Sequence, residues 1–125
     1  MTENEISYEI RGAIYDVYNN LGPGLLESVY VKSLEYELIK KGLKVEREVA
    51  IPVNYKNIKM DLGFRMDLLI EEKVIIEVKS VENLQEVHHK QILTYLKITG
   101  KKLGILVNFN VSNIKEGIYR KVNGL

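Results

Sequence analysis

The sequence predicts an α/β domain in which helices flank a mixed β-sheet of about four to five strands. Apolar residues recur at three- and four-residue steps in roughly the first third of the chain, and then alternate with polar residues from Val45 onward. Residues 103–107 form a short, wholly apolar run, which is typical of a buried central strand. The predicted order is ααβββαβ, followed by a tail (residues 112–125) that is ambiguous between helix and strand.

The first two elements are predicted to be amphipathic helices. The apolar stripe of the first begins at Ile6, and its helix should end before the Leu21-Gly22-Pro23-Gly24 segment, because proline and glycine do not readily continue a helix. The second helix should begin near Leu25 and run to Lys41, with Gly42 as its C-terminal cap.

Strands and one further helix should follow. Apolar residues at alternate positions predict a half-buried strand over residues 45–55, with a turn at Lys56-Asn57. Two more strands are expected near residues 60–70 and 73–79, joined by a tight turn at Glu71-Glu72. Residues 84–99 predict a helix that ends before Gly100.

Length and composition narrow the possible functions. With 125 residues, the simplest organisation is one domain over residues 1–125. The net charge of +1 means that any nucleic-acid binding must depend on a local patch. The absence of cysteine excludes a thiol nucleophile and a Cys-ligated metal.

The acidic N-terminus does not resemble a signal peptide, and no apolar run reaches the roughly 20 residues of a membrane span. We therefore expect a soluble cytoplasmic protein.

The strongest functional signal is Asp67 together with the Glu77-Val78-Lys79 triplet. These charged groups lie in the most hydrophobic part of the chain, where burying a charge costs several kcal/mol unless it is paired. Across a hairpin with a three-residue loop, Asp67 and Glu77 would face each other with Cβ atoms about 4.5–5.5 Å apart. A divalent cation between them would offset their repulsion, and hard oxygen ligands favour Mg²⁺ or Mn²⁺.

Lys79 lies two residues after Glu77 and should share its face of the strand. Its amine could orient or activate a water molecule, or neutralise charge on a phosphate in the transition state. Val78 should face the core, and its carbonyl could supply a further metal ligand. The alternative interpretation is that Asp67, Glu77 and Lys79 form a solvent-exposed ladder of charges on an edge strand.

These residues resemble a known signature. Asp67 followed by Glu77-Val78-Lys79 is similar to the motif of the PD-(D/E)xK nucleases, although Met66 stands where the motif name has proline. Gly24-Leu25-Leu26-Glu27-Ser28-Val29-Tyr30 resembles the G-x-x-E-x-x-Y pattern of a family of small proteins assigned to that superfamily. The similarity extends from about residue 6 to residue 120 and implies a restriction-endonuclease-like core.

The resemblance implies that Glu27 is a third acid that reaches the metal. The alternative is that Glu27 only interacts favourably with the dipole of its helix, because it lies in the first turn. Tyr30 shares the face of Glu27 and could either hydrogen-bond a carboxylate of the site or pack in the core.

Polar residues also lie on one stripe of the helix after the triplet. Leu84, His88, Gln91 and Tyr95 follow one another at steps of four, three and four. Gln91 and Tyr95 resemble the Q-x-x-x-Y pair of RecB-type nucleases, where the pair supports the site or contacts nucleic acid. Gln91 is therefore a predicted catalytic-site residue, and Tyr95 a supporting one.

The resulting hypothesis is a nuclease dependent on Mg²⁺ or Mn²⁺ that hydrolyses phosphodiester bonds in nucleic acid, with DNA as the favoured polymer. A homodimer is a companion hypothesis, because a chain of this length offers little surface for recognition. One alternative is a non-catalytic nucleic-acid- or protein-binding accessory module that keeps the fold. Another is a hydrolase that acts on a different phosphoester.

Overall fold

The computed structural model describes residues 1–61 and 63–125, which form three α-helices, a 3-10 turn and seven strands. In chain order they are α1 (Glu3–Leu21), α2 (Glu27–Lys40), β1 (Val45–Ala50), β2 (Val53–Tyr55), β3 (Ile58–Met60), β4 (Arg65–Ile70), β5 (Val74–Lys79), α3 (Glu86–Thr99), β6 (Leu103–Asn108), the 3-10 turn (Ile114–Gly117) and β7 (Ile118–Val122).

The main sheet has five strands in the order β1-β4-β5-β6-β7. Adjacent strands of this sheet run antiparallel, except β5 and β6, which run parallel and are connected through α3. A parallel pair needs a crossover of this kind, because a tight turn cannot return the chain to the same end of the sheet. The predicted mixed sheet with flanking helices is confirmed. β2 and β3 form a separate antiparallel hairpin.

Hydrophobic side chains cover both faces of the main sheet. On one face, the buried stripe of α1 and three residues of α2 pack against the sheet. That α1 stripe consists of Ile6, Ile10, Ala13, Ile14 and Val17. On the other face, Tyr95 and Leu96 of α3 pack against Leu69 and Ile75. Strands β4, β5 and β6 are therefore enclosed between helices, which explains their nearly continuous apolar sequence.

Hydrogen bonds cap the start of α1 and the end of α2. The Thr2 side chain and the Glu5 side chain form a reciprocal capping box at the start of α1. After α2, the N–H of Gly42 donates to the carbonyl of Ile39, and that of Leu43 donates to the carbonyl of Leu38. This pair of bonds is a Schellman motif, with Gly42 at the left-handed position (φ 86°) as predicted. None of the helices in the described ranges combines the length and apolarity that a membrane span requires.

Three predicted boundaries are wrong, and one segment that the sequence leaves open is defined by the structure. The expected strand over residues 45–55 divides at Ile51-Pro52, because proline has no N–H for a strand ladder. The expected strand over residues 60–70 is also two strands, and its position 62 lies outside the described residues. The third helix begins at Glu86 instead of Leu84. The ambiguous tail forms the 3-10 turn and then β7, which pairs with β6.

Candidate active site

The β4–β5 hairpin sets the position of the predicted acidic pair. Its loop is the three residues Glu71 to Lys73, and the N–H of Lys73 donates to the carbonyl of Ile70. Leu68 pairs with Ile76 in the sheet register. One step further along both strands, that register places Asp67 opposite Glu77, as the loop length predicts.

Hydrogen bonds from each strand hold the carboxylate of the other at this point. The Asp67 N–H donates to Glu77 Oε2 at 2.7 Å, and the Val78 N–H donates to Asp67 Oδ2 at 2.7 Å. The regular β4–β5 pairing extends only to Leu68 and Ile76. The two side chains thus take the place of backbone-to-backbone bonds where the ladder stops, and both carboxylates are fixed in orientation.

Burial makes this pair electrostatically costly. Glu77 is only 3% exposed, and burial followed by the negative charge of Asp67 raises its pKa to about 8. Burial also raises the pKa of Asp67, against the opposing effects of the Val78 N–H and the Lys79 charge. Both residues lie on internal strands of the sheet. The alternative interpretation of a solvent-exposed ladder on an edge strand is therefore wrong.

Lys79 ends β5 beside the acidic pair and is half-buried. Its positive charge lowers the pKa of both Asp67 and Glu77. Within the described ranges, its ammonium group makes no direct ion pair. The Lys79 backbone carbonyl accepts a hydrogen bond from Phe109 at 2.9 Å, which anchors this end of β5 to the segment after β6.

The side chain of Val78 is buried in the core beneath α1 and α2, as predicted. Its N–H points toward Asp67 on β4. Since the N–H and C=O of one strand residue point toward the same neighbouring strand, the Val78 carbonyl also faces β4. The carbonyl is therefore on the side of the strand where the two carboxylates lie.

Glu27 is the first residue of α2 and reaches the chain just after Lys79. Its Oε2 accepts a hydrogen bond from the Ser80 N–H at 3.3 Å, and Ser80 Oγ donates to the Leu25 carbonyl at 2.6 Å. The Glu27 charge raises the pKa of Asp67 and Glu77. In the part of the chain that the structure describes, no three acidic or histidine side chains converge closely enough to hold a metal ion. The structure thus brings Asp67 and Glu77 together, with Glu27 adjacent to them.

Tyr30 is fully buried and stacks on Phe109, with ring centroids 4.2 Å apart. Its hydroxyl donates to the Gly22 carbonyl at 2.6 Å and accepts from the Leu25 N–H at 3.1 Å. Of its two predicted roles, packing in the core is the one observed. The hydrogen bonds of Tyr30 hold the loop that leads into Glu27.

The predicted Gln91–Tyr95 pair is joined by a hydrogen bond. Gln91 Nε2 donates to the Tyr95 hydroxyl at 3.0 Å. Burial, and then the charges of Glu77 and Asp67, raise the pKa of Tyr95. His88 differs from the other members of its predicted stripe, because its Nδ1 accepts from the Gln85 N–H and caps the start of α3.

Glu48 is a charged residue near the site that the sequence pattern does not indicate. Its φ is 55°, a conformation that glutamate rarely adopts. In the sheet register it lies across from Asp67, between the pairs Arg47–Leu68 and Val49–Met66. Leu68 packs beneath α1 and α2, whereas Met66 packs on the α3 side, so β4 changes its orientation at Asp67.

This change of orientation opens Asp67 toward α2. A cavity of about 350 Å³ has three acidic and two basic residues in its lining: Asp67, Glu48, Glu27, Lys32 and Arg47. The charge of Glu48 contributes to the raised pKa of Asp67. The acidic pair is thus reached from the α2 side through Asp67, while Glu77 stays enclosed near α3.

Comparison with known proteins gives one match. The family model of the PD-(D/E)XK nuclease superfamily matches residues 4–121 of this chain. The matched range extends from α1 into β7 and includes every site residue described above. No curated protein and no solved structure matches the chain.

Proposed function

The chain belongs to the PD-(D/E)XK nuclease superfamily, and from that membership we propose that it is a metal-dependent nuclease with DNA as its favoured substrate. Its reaction is the hydrolysis of phosphodiester bonds. The observation that carries the proposal is the reciprocal hydrogen bonding of Asp67 and Glu77, which holds two carboxylates together at the interrupted end of a hairpin. Lys79 follows on the same strand.

Asp67 and Glu77 fit a divalent cation. They supply hard oxygen donors, which suit Mg²⁺ or Mn²⁺. Burial raises the pKa of both acids, and a bound cation would offset that cost. The Val78 carbonyl and Glu27 are the proposed further ligands. The cation would supply Lewis-acid stabilisation of the negative charge that develops on the phosphate.

The remaining roles fall to side chains that adjoin the carboxylates. The Lys79 ammonium, which lies on the Glu77 side of β5, orients the attacking water or neutralises charge in the transition state. The hydrogen bond between Gln91 and Tyr95 keeps the α3 side of the site rigid. Tyr30 positions the loop before Glu27.

A non-catalytic accessory module is the principal alternative function. The presence of all three charged groups of the motif argues against it, because a binding module has no need to bury Asp67 and Glu77 beside each other at an energetic cost. A hydrolase of another phosphoester would use the same groups. Cleavage assays separate these possibilities.

The test is incubation of the purified protein with labelled DNA and RNA in Mg²⁺, Mn²⁺ or EDTA. We expect cleavage of DNA that requires metal and falls about 100-fold or more in Lys79→Ala. Lys115→Ala is the matched control, because Lys115 is exposed on the 3-10 turn. Absence of cleavage with either metal, or undiminished cleavage by Lys79→Ala, would contradict the proposed mechanism.

Three further assignments complete the proposal. The chain is assigned to the G-x-x-E-x-x-Y family because Gly24, Glu27 and Tyr30 keep its spacing. Residues 1–125 act as one domain. A homodimer would enlarge the recognition surface of this small chain, and sedimentation at several protein concentrations tests for it.

A further inference from the structure

A second cavity lies on the α3 side of the sheet, next to the Gln91–Tyr95 pair. Its volume is about 410 Å³, and its apolar lining includes Ile51, Phe64, Val87 and Ile98. Val87 is 64% exposed, Phe64 42% and Ile98 41%, so the groove presents its apolar side chains to solvent. Large side chains exposed together on one concave surface indicate a binding site.

We infer that this groove binds an unpaired nucleobase of the substrate, so that the enzyme acts on single-stranded nucleic acid or on an unpaired segment of a duplex. The inference rests on the proposed nuclease function and specifies the substrate of that site. Phe64 and Tyr95 meet edge-to-face, with centroids 6.4 Å apart and ring planes at 64°. This geometry fixes the Phe64 ring while leaving much of it exposed for stacking.

Polar groups in the groove match the remaining parts of a nucleotide. Gln91 and Thr94 line the groove and offer amide and hydroxyl groups to the edge of a base. Lys90 also lines the groove and is exposed, and its ammonium group forms an exposed ion pair with Glu86 Oε1 at 3.2 Å, which a phosphate could replace. An apolar cleft with a few polar groups and one cation is complementary to a stacked base and its backbone.

The groove adjoins the catalytic centre on the α3 side, where Glu77 is enclosed. Tyr95 lines the groove and also packs against Leu69 and Ile75. These residues lie two positions from Asp67 and Glu77 on their respective strands. A base held against Phe64 would therefore place its own strand next to the carboxylate pair.

An unpaired base explains the groove better than a duplex does. Base faces in a duplex are already stacked, so only an unstacked base can lie against the exposed ring of Phe64. Duplex binding without base insertion depends on many phosphate contacts, whereas this chain has a net charge of +1. The exposed surface that is most suited to recognition is thus apolar and aromatic.

Binding of metal-free protein to two labelled strands of equal length tests the inference. One is a thymidine homopolymer and the other is an abasic strand with the same phosphates. Wild type should bind the thymidine strand more tightly than the abasic strand and than a duplex. Phe64→Ala should weaken thymidine binding about 10-fold and leave abasic binding unchanged, whereas Phe64→Tyr should retain the preference. Tyr36→Ala is the control, because Tyr36 is an exposed aromatic residue on α2.

The outcomes separate this inference from the nuclease proposal when the same samples are assayed for metal-dependent cleavage. Equal binding of the two strands, or unchanged thymidine binding by a folded Phe64→Ala variant, overturns the base pocket even if DNA is cleaved. If neither strand binds, the base pocket is also overturned, and the groove would instead bind another kind of ligand, such as an apolar peptide. Base-dependent binding without cleavage supports the pocket and contradicts the nuclease. Thermal unfolding of each variant checks its fold.

Discussion

Asp67 donates its backbone N–H to the carboxylate of Glu77, while its own carboxylate accepts the N–H of the residue after Glu77. Each acid is thus held by the strand of the other. Hydrogen bonds to backbone N–H groups favour the charged forms of these acids, but burial outweighs them and raises both pKa values. The protein's own backbone thus holds the two carboxylates together, at a cost in stability that depends on pH.

Stability of the metal-free protein should fall as pH rises from about 4.5 to about 8. The pKa of Glu77 is raised from 4.5 to about 8 by folding, so the folded state holds a proton that the unfolded state releases. The stabilisation that the protonated Glu77 contributes is fully present below the pKa of Glu77 in the unfolded state. It is lost as pH rises through the pKa of Glu77 in the folded state. Its size is on the order of 3–5 kcal/mol. Urea unfolding in EDTA across this pH range measures it.

Glu77→Gln is the control for this prediction. Its amide oxygen can still accept the Asp67 N–H, but the side chain does not ionise. The variant should therefore have a flatter pH profile and exceed wild type in stability at pH values above about 8, while losing any cleavage activity. Parallel profiles for wild type and variant would show that Glu77 does not cause the dependence.

Mg²⁺ or Mn²⁺ should raise the melting temperature most strongly at alkaline pH, where both carboxylates are charged. At a free metal concentration 100 times Kd, binding adds about 2.7 kcal/mol, or a shift of roughly 10 °C for a domain of this size. EDTA should reverse the shift, and Asp67→Asn should remove it. Asp16→Asn, on the exposed face of α1, should leave it intact. An equal shift in Asp67→Asn would place the metal elsewhere.

Glu27→Gln distinguishes a metal ligand from a helix-capping or loop-holding residue. The glutamine oxygen can still accept the Ser80 N–H, so the contact between α2 and the end of β5 is retained. If Glu27 binds metal, the metal concentration for half-maximal cleavage should rise at least about 10-fold while the melting temperature changes little. An unchanged metal requirement would assign Glu27 to the Ser80 contact alone.

The sequence predicts those parts of the site that depend on local spacing. The separation of Asp67 and Glu77 predicts that they face each other, because the hairpin loop fixes the register. The four-residue step from Gln91 to Tyr95 likewise predicts their contact. Roles that depend on tertiary structure are not predictable in this way. The Glu27–Ser80 bond joins residues far apart in the chain, and the positive φ of Glu48 has no local sequence signal.

Gln91 and Tyr95 should act as one unit in catalysis. Tyr95→Phe removes the hydroxyl that accepts from Gln91, and Gln91→Leu removes the donor. Each variant should lose about 1 kcal/mol of stability and lower kcat about 10-fold. The double variant should lower kcat little further, because either change already breaks the same bond. Additive losses in kcat, or full activity of both single variants, would show that the bond does not support the site.

The contact between Gly117 and Asn108 leads to a prediction about the segment after Lys79. Asn108 is 3% exposed and holds this segment through two bonds, since its Oδ1 accepts the Val81 N–H and its Nδ2 donates to the Val81 carbonyl. A Cβ at Gly117 would lie 2.3 Å from the Asn108 backbone oxygen, so Gly117→Ala must displace one of the two backbones.

Gly117→Ala should therefore lower stability by about 1–3 kcal/mol and reduce cleavage by more than the loss of folded protein explains.

Gly12→Ala is the matched control for this prediction. Gly12 lies within α1, and a Cβ there would lie 3.6 Å from the nearest atom, Nζ of Lys41. Alanine is favoured over glycine inside a helix by about 0.5–1 kcal/mol, so this variant should gain stability with unchanged activity. Thermal unfolding and cleavage rates at a temperature where both variants are folded measure the two effects. Full activity of Gly117→Ala would show that displacing Asn108 does not disturb Lys79.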